Sequence, residues 1–251
     1  MKKPIIGIVG RSYLLENQPV IQLNEEYRIA IVKAGGIPIE IIPNDTFYYG
    51  ISQSNIGHHL TDDEKNDLSL ILEKCDGILI PGGYCWYDFD EYICAYALKN
   101  NIPILGICLG MQILGSIDVF DIDGNHDFTV KNDTNINHCQ IDKKYVHDCF
   151  IMPGILYQIL NTDKITVNSR HNYHITPKPY FHIEAYSEDG LIEAISIPNC
   201  KFALGVQWHP ESMINYDYSM GKIFRFLVKR NIHRFVETNY SHSISHMIYF
   251  F

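Results

Sequence analysis

The chain has 251 residues, of which 46% are hydrophobic, and a formal net charge of −9, so it has enough apolar content for one sizeable core. An acidic chain without a long basic cluster is not expected to bind nucleic acid. Its most apolar stretch, Ile102 to Ile117, is too short and too interrupted by proline and glycine to span a membrane, and no signal-peptide core precedes Arg11, so we expect a cytoplasmic protein.

The first half of the chain alternates strand-like and helix-like segments with short connections. Continuous apolar runs predict strands that are buried on both faces, and apolar residues at helical spacing with capping residues predict helices. The predicted strands cover residues 4–10, 37–43, 76–83 and 102–107, and the predicted helices cover residues 24–36, 61–75 and 90–101, with a loop at 44–59. This alternation predicts an α/β fold in three layers, with a mostly parallel central sheet and helices on both faces.

The second half of the chain has a weaker pattern. Residues 118–144 are polar and rich in Asp and Asn, and we expect loops or short exposed strands there. Strand-like runs return at residues 164–169, 181–187, 191–197 and 202–209, and a helix is expected at 216–232. Residues 236–251 are assigned to a C-terminal tail, which leaves residues 1–235 as a single domain because no linker divides them.

The cysteines and histidines are not spaced like a metal site. Seven cysteines are scattered without a C-x-x-C pair, which argues against a disulfide framework and against a zinc site. His58, His59 and His138 have no partner cluster at metal-ligand spacing. The sequence therefore predicts no metal centre and no cofactor.

One cysteine needs a separate explanation, because Cys108 lies between Gly106 and Gly110 where a strand ends and a helix begins. G-x-C-x-G is the thiol version of the nucleophile elbow. A helix N-terminus beside the sulfur favours the reactive thiolate, and the backbone N–H of Leu109 can face an oxyanion. The competing interpretation is a buried cysteine in a tight strand–helix junction, since five-residue patterns recur by chance.

A base for this thiol is expected at His209, which follows another predicted strand. Pro210 restrains His209 to extended geometry, and in an extended chain the His209 and Glu211 side chains point to the same face. Glu211 is then expected to orient the imidazole while its other nitrogen faces the sulfur of Cys108. Taken alone, His-Pro-Glu is equally typical of a surface loop.

A second oxyanion donor is expected in the Pro-Gly-Gly turn at residues 81–83, which ends a strand at the same rim of the sheet. Glycine lets the backbone N–H of Gly83 approach a tetrahedral intermediate closely. A plain strand-to-loop turn is the alternative interpretation of this motif.

The order of the three motifs, PGG, GICLGMQ and GVQWHPE, resembles the class I glutamine amidotransferase superfamily. Residues 27–43, 167–171 and 188–195 resemble its γ-glutamyl-γ-aminobutyrate hydrolase branch, the peptidase C26-like family, and the resemblance runs from about residue 4 to 230. It implies a flavodoxin-like fold and a cysteine hydrolase that cleaves a γ-glutamyl amide bond. It also implies the site residues, with Cys108 as nucleophile, His209 as acid and base, Glu211 as its orienting partner, and Gly83 and Leu109 as oxyanion donors.

Five residues are candidates for binding the substrate. The resemblance places Gln112, Ser169 and His171 along the γ-glutamyl pocket, next to the turn that contains Gly82. Arg170 is expected either to meet a carboxylate or phosphate of the substrate or to be an ordinary solvated arginine. The aromatic run at residues 84–92 is a candidate wall for the leaving-amine pocket, although packing on the sheet rim is the favoured interpretation.

Two departures from the family pattern keep a second hypothesis open. Leu109 stands where hydrolases of this branch usually carry arginine, as in true amidotransferase subunits, and the segment after PGG is short. The main hypothesis is a free-standing hydrolase that forms a glutamyl thioester and releases glutamate from a small-molecule γ-glutamyl substrate, with a homodimer as a candidate assembly. The alternative is a glutaminase subunit that passes ammonia to a synthase partner, and a non-enzymatic binding protein is disfavoured because all three triad residues are present.

Overall fold

The structure, a computed structural model, describes residues 2–47, 58–84, 86–117 and 129–229. Its strands, numbered in chain order, are β1 (Ile5–Val9), β2 (Arg11–Leu15), β3 (Gln18–Gln22), β4 (Ile37–Ile41), β5 (Gly77–Ile80), β6 (Ile104–Ile107), β7 (Thr129–Lys131), β8 (His147–Ile151), β9 (Lys164–Val167), β10 (Tyr173–Ile175), β11 (His182–Ser187), β12 (Ile192–Ser196) and β13 (Ala203–Val206). Its helices are α1 (Glu25–Ala34), α2 (Asp62–Leu72), α3 (Asp88–Lys99), α4 (Leu109–Ser116), α5 (Ile155–Leu160), α6 (Pro210–Met213) and α7 (Gly221–Lys229). Among these described helices, none combines the length and the apolar character that crossing a bilayer requires.

A nine-stranded sheet forms the centre, in the order β4-β1-β5-β6-β13-β12-β11-β8-β9. The five strands from β4 to β13 pair in parallel, and β12, β11, β8 and β9 extend the sheet by antiparallel pairing. The predicted α/β class is confirmed, with a mixed sheet that is parallel over most of its strands. Because β6 and β13 are parallel neighbours, the residues that follow them emerge at the same edge.

Helices cover both faces of this sheet, which gives the three predicted layers. In β5, Leu79 points into one core, whereas Ile78 and Ile80 point into the other, as the two-residue period of a strand requires. The first core also receives buried side chains from α1, α5, α6 and α7. The second receives them from α2, α3 and α4. The central strands are therefore shielded from water on both sides.

The helix termini follow the predicted capping chemistry. Thr61 caps α2 in a capping box with Glu64: the Thr61 amide donates to the Glu64 carboxylate at 2.7 Å, and the Glu64 amide donates to the Thr61 hydroxyl at 3.3 Å. Helix α1 ends at Gly35, whose φ of 95° lies in the left-handed region and lets its amide bond back to the helix.

Several of the described elements were not predicted, among them β10 and α6. Residues 11–22 form the hairpin β2–β3, in which Glu16 and Asn17 take positive φ values of 49° and 64° without the glycine that usually signals such a turn. Strand β8 and helix α5 also lie in a segment without a predicted element. Strand β8 alternates buried and exposed residues, but two of its inward positions are His147 and Cys149, which hid the pattern.

Two of the predicted segments lie partly or wholly outside the described residues. The short exposed strands expected at 118–144 are confirmed by β7, which pairs with β10, whereas residues 118–128 lie outside the described residues. Helix α7 begins at Gly221, later than predicted. The C-terminal tail at 236–251 also lies outside the described residues.

Candidate active site

Cys108 stands alone between β6 and α4, at the predicted elbow. Its φ of 53° and ψ of −106° put a non-glycine residue in a sparsely populated region, which costs about 1–3 kcal/mol. Hydrogen bonds hold this conformation, because the Cys108 amide donates to the Val206 carbonyl at 2.8 Å and the Gln112 amide donates to the Cys108 carbonyl at 3.1 Å. The cysteine is only 7% exposed, so the thiol is buried at the end of the sheet.

The flanking glycines permit close packing of α4 against the sheet. A Cβ at Gly110 would overlap the backbone carbonyl of Ile80, and a Cβ at Gly106 would overlap the carbonyl of Gly110. Neither glycine has a positive φ, which is found at Cys108 itself. Glycine is therefore required here by contact between backbones, and the strained turn is taken by the cysteine.

His209 follows β13 and precedes α6, so it meets the sheet edge where Cys108 lies. The predicted extended geometry for residues 209–211 is wrong, because Pro210 occupies the first position of α6, where its fixed φ suits a helix. The predicted contact nevertheless forms, since His209 Nδ1 lies 2.6 Å from Glu211 Oε1. Glu211 is 2% exposed, so its carboxylate acts on the imidazole with little screening by water.

The charges of this group favour a thiolate–imidazolium pair. Burial alone would lower the pKa of His209, but the Glu211 carboxylate and the hydrogen-bonded Cys108 sulfur raise it to about 10. Burial alone would raise the pKa of Cys108, but His209, His171 and a hydrogen bond from the Leu109 amide bring it below its usual value. The arrangement can therefore hold a reactive sulfur next to a proton donor.

Asn168 fixes the backbone of His209 and was missed by sequence analysis. Its Oδ1 accepts from the His209 amide at 2.8 Å, and its Nδ2 donates to the His209 carbonyl at 2.9 Å. Asn168 is fully buried. The only signal in the sequence was its position after strand β9, beside the residues that the resemblance had singled out.

The Pro-Gly-Gly turn lies against the same group. The Gly82 amide donates to the Tyr27 hydroxyl at 3.0 Å, and a Cβ on Gly82 would lie 2.7 Å from His209 Cε1. A Cβ on Gly83 would lie 3.0 Å from the Leu109 side chain. The structure thus brings the two predicted oxyanion residues together, and it adds Tyr27 of α1, which was not among the predicted site residues.

Arg11 anchors this turn from the other side. Its guanidinium pairs with the buried carboxylate of Asp90 at 2.5 Å and donates to the Pro81 carbonyl at 2.9 Å. Asp90 also accepts from the Tyr87 amide at 3.0 Å. Because both charged groups are buried, this pair fixes the start of α3 relative to the Pro-Gly-Gly turn.

The predicted substrate-binding residues lie around the elbow, and each of them already contacts other protein groups. Gln112 is buried next to the elbow, where its Nε2 donates to the Tyr173 carbonyl at 2.9 Å and to Gln207 Oε1 at 3.2 Å. Arg170 donates to the Ser212 hydroxyl at 3.0 Å, so it links its loop to α6 and is not a freely solvated side chain. Ser169 and His171 are both buried, and both lie next to His138.

The aromatic run after the turn is mostly packed. Tyr87 and Phe89 are buried in the second core and stack on each other, which agrees with the favoured interpretation of rim packing. Tyr84 differs, because it is 86% exposed beside the turn. Cys85 lies outside the described residues.

The expectation that His138 has no clustered partners is wrong. Its ring lies 4.5 Å from that of His147 and 4.7 Å from that of His171. All three histidines face Glu193, and one potential ligand atom from each of the four residues lies within 4.8 Å of the others. These residues are far apart in sequence, so spacing along the chain did not reveal them.

Comparisons with known proteins support the resemblance. A family model for peptidase C26 matches residues 87–211. The chain is 30% identical to gamma-glutamyl-gamma-aminobutyrate hydrolase PuuD of Escherichia coli (strain K12), over 89% of this chain and 91% of that protein. It is 29% identical to the putative glutamine amidotransferase PB2B2.05 of Schizosaccharomyces pombe, over 98% of this chain and 94% of that protein.

Among solved structures, the glutaminase domain of Trypanosoma brucei CTPS with bound acivicin aligns with a TM-score of 0.60 at 18% identity, over 91% of this chain and 93% of that one. This likeness concerns the fold, and it agrees with the flavodoxin-like, amidotransferase-type architecture that the motifs predicted. Since the sequence similarity to the hydrolase extends over nearly the whole length of both proteins, the chain belongs to the peptidase C26 family of class I glutamine amidotransferase-like hydrolases.

Proposed function

We propose that the protein is a free-standing hydrolase that cleaves the γ-glutamyl amide bond of a small molecule, with Cys108 as its nucleophile. The observation that carries this proposal is the contact of a buried thiol of lowered pKa with an imidazole that Glu211 holds at 2.6 Å. Nucleophile, base and orienting carboxylate are the three roles that acyl transfer through a covalent intermediate needs.

The first half of the reaction forms a thioester. The Cys108 thiolate attacks the γ-carbonyl carbon, and the developing oxyanion accepts hydrogen bonds from the backbone amides of Leu109 and Gly83. Loss of one such donor typically lowers kcat by a factor of about 10²–10³. The imidazolium of His209 gives its proton to the leaving nitrogen, the C–N bond breaks, and the free amine departs.

The second half releases glutamate. Neutral His209 takes a proton from a water molecule, whose oxygen attacks the thioester carbonyl carbon. Collapse of the second tetrahedral intermediate breaks the C–S bond and restores the Cys108 thiolate beside a protonated His209. Glu211 accepts a hydrogen bond from the same imidazole nitrogen throughout, so it orients His209 without itself becoming protonated.

The family and the residues beside the elbow support this choice of substrate class. PuuD is named for a γ-glutamyl conjugate of γ-aminobutyrate, and we assign this chain a related small γ-glutamyl amide. Gly82, Gln112, Ser169 and Arg170 are the proposed contacts for the glutamyl half. His171, which the resemblance also placed there, turns both of its ring nitrogens toward protein atoms.

Glutamate release by the purified protein alone tests the proposal. The panel contains glutamine, γ-glutamyl-γ-aminobutyrate, γ-glutamyl polyamines and γ-glutamyl peptides. We expect a bulky amide to be cleaved at a much higher rate than glutamine. Activity should be abolished in Cys108→Ala and kept in Cys139→Ala, a matched change at a partly exposed thiol. Full activity in Cys108→Ala would overturn the assignment of the nucleophile.

A glutaminase subunit is the second candidate. Leu109 favours it, and so does the name of the fission yeast relative, a putative glutamine amidotransferase. This function predicts slow turnover of glutamine only, and stimulation by a synthase partner that accepts ammonia. Robust hydrolysis of bulkier amides without a partner excludes it.

A further inference from the structure

Four buried residues outside the Cys108 group place their polar side-chain atoms close to one another. This histidine cluster consists of His138, His147, His171 and Glu193, which are at most 4% exposed. They come from a loop, from β8, from the segment after β9 and from β12. None of the steps proposed for amide hydrolysis uses His138, His147 or Glu193.

The outer nitrogen of each imidazole in the histidine cluster has an acceptor. His147 Nδ1 donates to the Asp148 carbonyl at 3.2 Å, His171 Nδ1 to the Tyr173 carbonyl at 3.0 Å, and His138 Nε2 to Asp189 Oδ2 at 2.9 Å. These bonds place a ring proton on the outer nitrogen, so the inner nitrogen is the one that can bind a metal ion. Zinc-bound histidines are held in this way, by a carbonyl or carboxylate on the far side of the ring.

The inner nitrogens all face one carboxylate oxygen. Glu193 Oε1 lies 3.6 Å from His138 Nδ1, 3.5 Å from His147 Nε2 and 3.4 Å from His171 Nε2. These separations exceed the usual length of an N–H···O hydrogen bond, about 2.7–3.2 Å. Within the described residues neither Glu193 oxygen has a hydrogen-bond partner, nor do the inner nitrogens of His147 and His171. The inner nitrogen of His138 has one further neighbour, the Ser169 hydroxyl at 3.2 Å.

Three imidazole nitrogens and a carboxylate oxygen that face one another without hydrogen bonds form a donor set that a cation can bridge. We propose that the histidine cluster binds one zinc ion through His138 Nδ1, His147 Nε2, His171 Nε2 and Glu193. Zinc bonds to nitrogen and oxygen are about 2.0–2.2 Å long, so neighbouring ligands of a tetrahedral ion lie about 3.3–3.6 Å apart. The distances from Glu193 to the three nitrogens fall in this range.

The donor set fits a structural zinc site. Four protein ligands close the tetrahedron and leave no open position for substrate. With one negative charge each on Glu193 and Asp189, a divalent cation leaves the site without net charge. His138 and His171 also line a pocket of about 310 Å³.

Zinc bound to the histidine cluster would stabilise the segment at residues 168–171, which positions His209. His171 follows Asn168 by three residues, and Asn168 bonds both backbone groups of His209. Ligation of His171 therefore ties this segment to β8 and β12. The ion acts as a cross-link between parts of the chain that meet only in the folded protein.

Metal binding by the whole chain is the direct test. Chelator-treated protein is titrated with Zn²⁺ against a chromophoric competitor and, separately, with Co²⁺. We expect one tight equivalent, intense visible Co²⁺ bands typical of tetrahedral coordination, and a zinc-dependent rise in Tm. Failure of the untreated and the chelator-treated wild-type chain to bind zinc would overturn the proposal without the need for any variant.

Variants locate the ion. His147→Ala is expected to weaken zinc binding by at least about 100-fold, and Asp189→Asn by about 10–100-fold through its effect on His138. His174→Ala, a nearby histidine outside the cluster, should bind normally. The Cys108–His209 pair is the competing site, so Cys108→Ala must keep the zinc. Loss of zinc in Cys108→Ala but not in His147→Ala would place the ion at the thiol and overturn the assignment.

Discussion

The hydroxyl of Tyr27 accepts a hydrogen bond from the Gly82 amide at 3.0 Å, which joins α1 to the turn beside Cys108. Burial and the Glu211 carboxylate raise the pKa of this phenol well above its usual value, so it stays neutral. A neutral hydroxyl can accept from Gly82 without adding charge next to His209.

Tyr27→Phe should therefore lower both stability and activity. The change leaves the half-buried Gly82 amide without its partner, which costs about 1 kcal/mol, and it frees the turn that carries Gly83. Urea unfolding and glutamate-release kinetics measure the two effects. Tyr157→Phe, at a tyrosine that is 42% exposed on α5, is the matched control and should change neither. Wild-type values for Tyr27→Phe would show that the contact has no role.

Asn168→Ala should separate the folding role of this residue from its positioning role. Loss of two buried hydrogen bonds to His209 is expected to cost about 2–4 kcal/mol. Displacement of the imidazole by about 1 Å is expected to lower kcat/KM by about 100-fold. Steady-state kinetics at a temperature where the variant is fully folded give the second effect.

Two further variants serve as comparisons for Asn168→Ala. Asn168→Asp keeps the acceptor for the His209 amide but loses the donor to its carbonyl, so it should fall between wild type and Asn168→Ala. Asn172→Ala, at an exposed asparagine nearby, should behave like wild type. Equal kcat/KM for all four proteins would contradict the assigned role of Asn168.

Gly110→Ala should destabilise the fold through direct overlap with the Ile80 carbonyl. Both groups belong to the backbone and cannot rotate away, so we expect a loss of about 3 kcal/mol or more. Gly221→Ala is the control, because its Cβ would make only an ordinary 3.7 Å contact with Arg225. Thermal unfolding of the two variants side by side distinguishes overlap from the general effect of replacing glycine. Similar Tm values for both would be inconsistent with close packing at the elbow.

The pH dependence of Cys108 alkylation reports on the thiolate. His209, with a pKa raised to about 10, keeps its proton through neutral pH and stabilises the thiolate, so the pKa of Cys108 is lowered. Alkylation by iodoacetamide should therefore stay fast below the usual thiol range and slow only when Cys108 is protonated. Cys200, whose pKa is raised by burial, serves as an internal reference that reacts at higher pH. Site-resolved mass spectrometry reads both residues in one sample.

Glu211→Gln should shift this profile to higher pH. Without the carboxylate, His209 loses its proton at lower pH, the thiolate loses its neighbouring cation, and the pKa of Cys108 rises. The direction follows from the sign of each interaction, since Glu211 raises the pKa of His209 and His209 lowers that of Cys108. An unchanged profile in this variant would mean that Glu211 does not govern the charge of the pair.

Local sequence patterns predicted the parallel half of the sheet well. Continuous apolar runs, a capping box and terminal glycines act within a few residues of each other, so β1, β4, β5 and β6 and helices α1 to α3 were recognisable. The elbow was also recognisable, because a glycine on either side of Cys108 reflects a local backbone contact.

Contacts between distant segments were beyond such patterns. Asn168 and His209 are 41 residues apart, and Arg11 and Asp90 are 79 apart. Polar residues on inward positions of β8, such as His147, interrupted its apolar pattern, so this strand was not predicted. The geometry of residues 210–211 was also misjudged, since Pro210 is compatible both with an extended chain and with the first turn of a helix.

The thiols of this chain differ in charge as a result of their surroundings. Burial raises the pKa of Cys75 to about 11 and also raises those of Cys94, Cys149 and Cys200, whereas that of Cys108 is lowered. Peroxide reacts with thiolates, and the first product is a sulfenic acid. Oxidants should therefore convert Cys108 before these other cysteines, so that oxidative stress silences the protein while its fold stays intact.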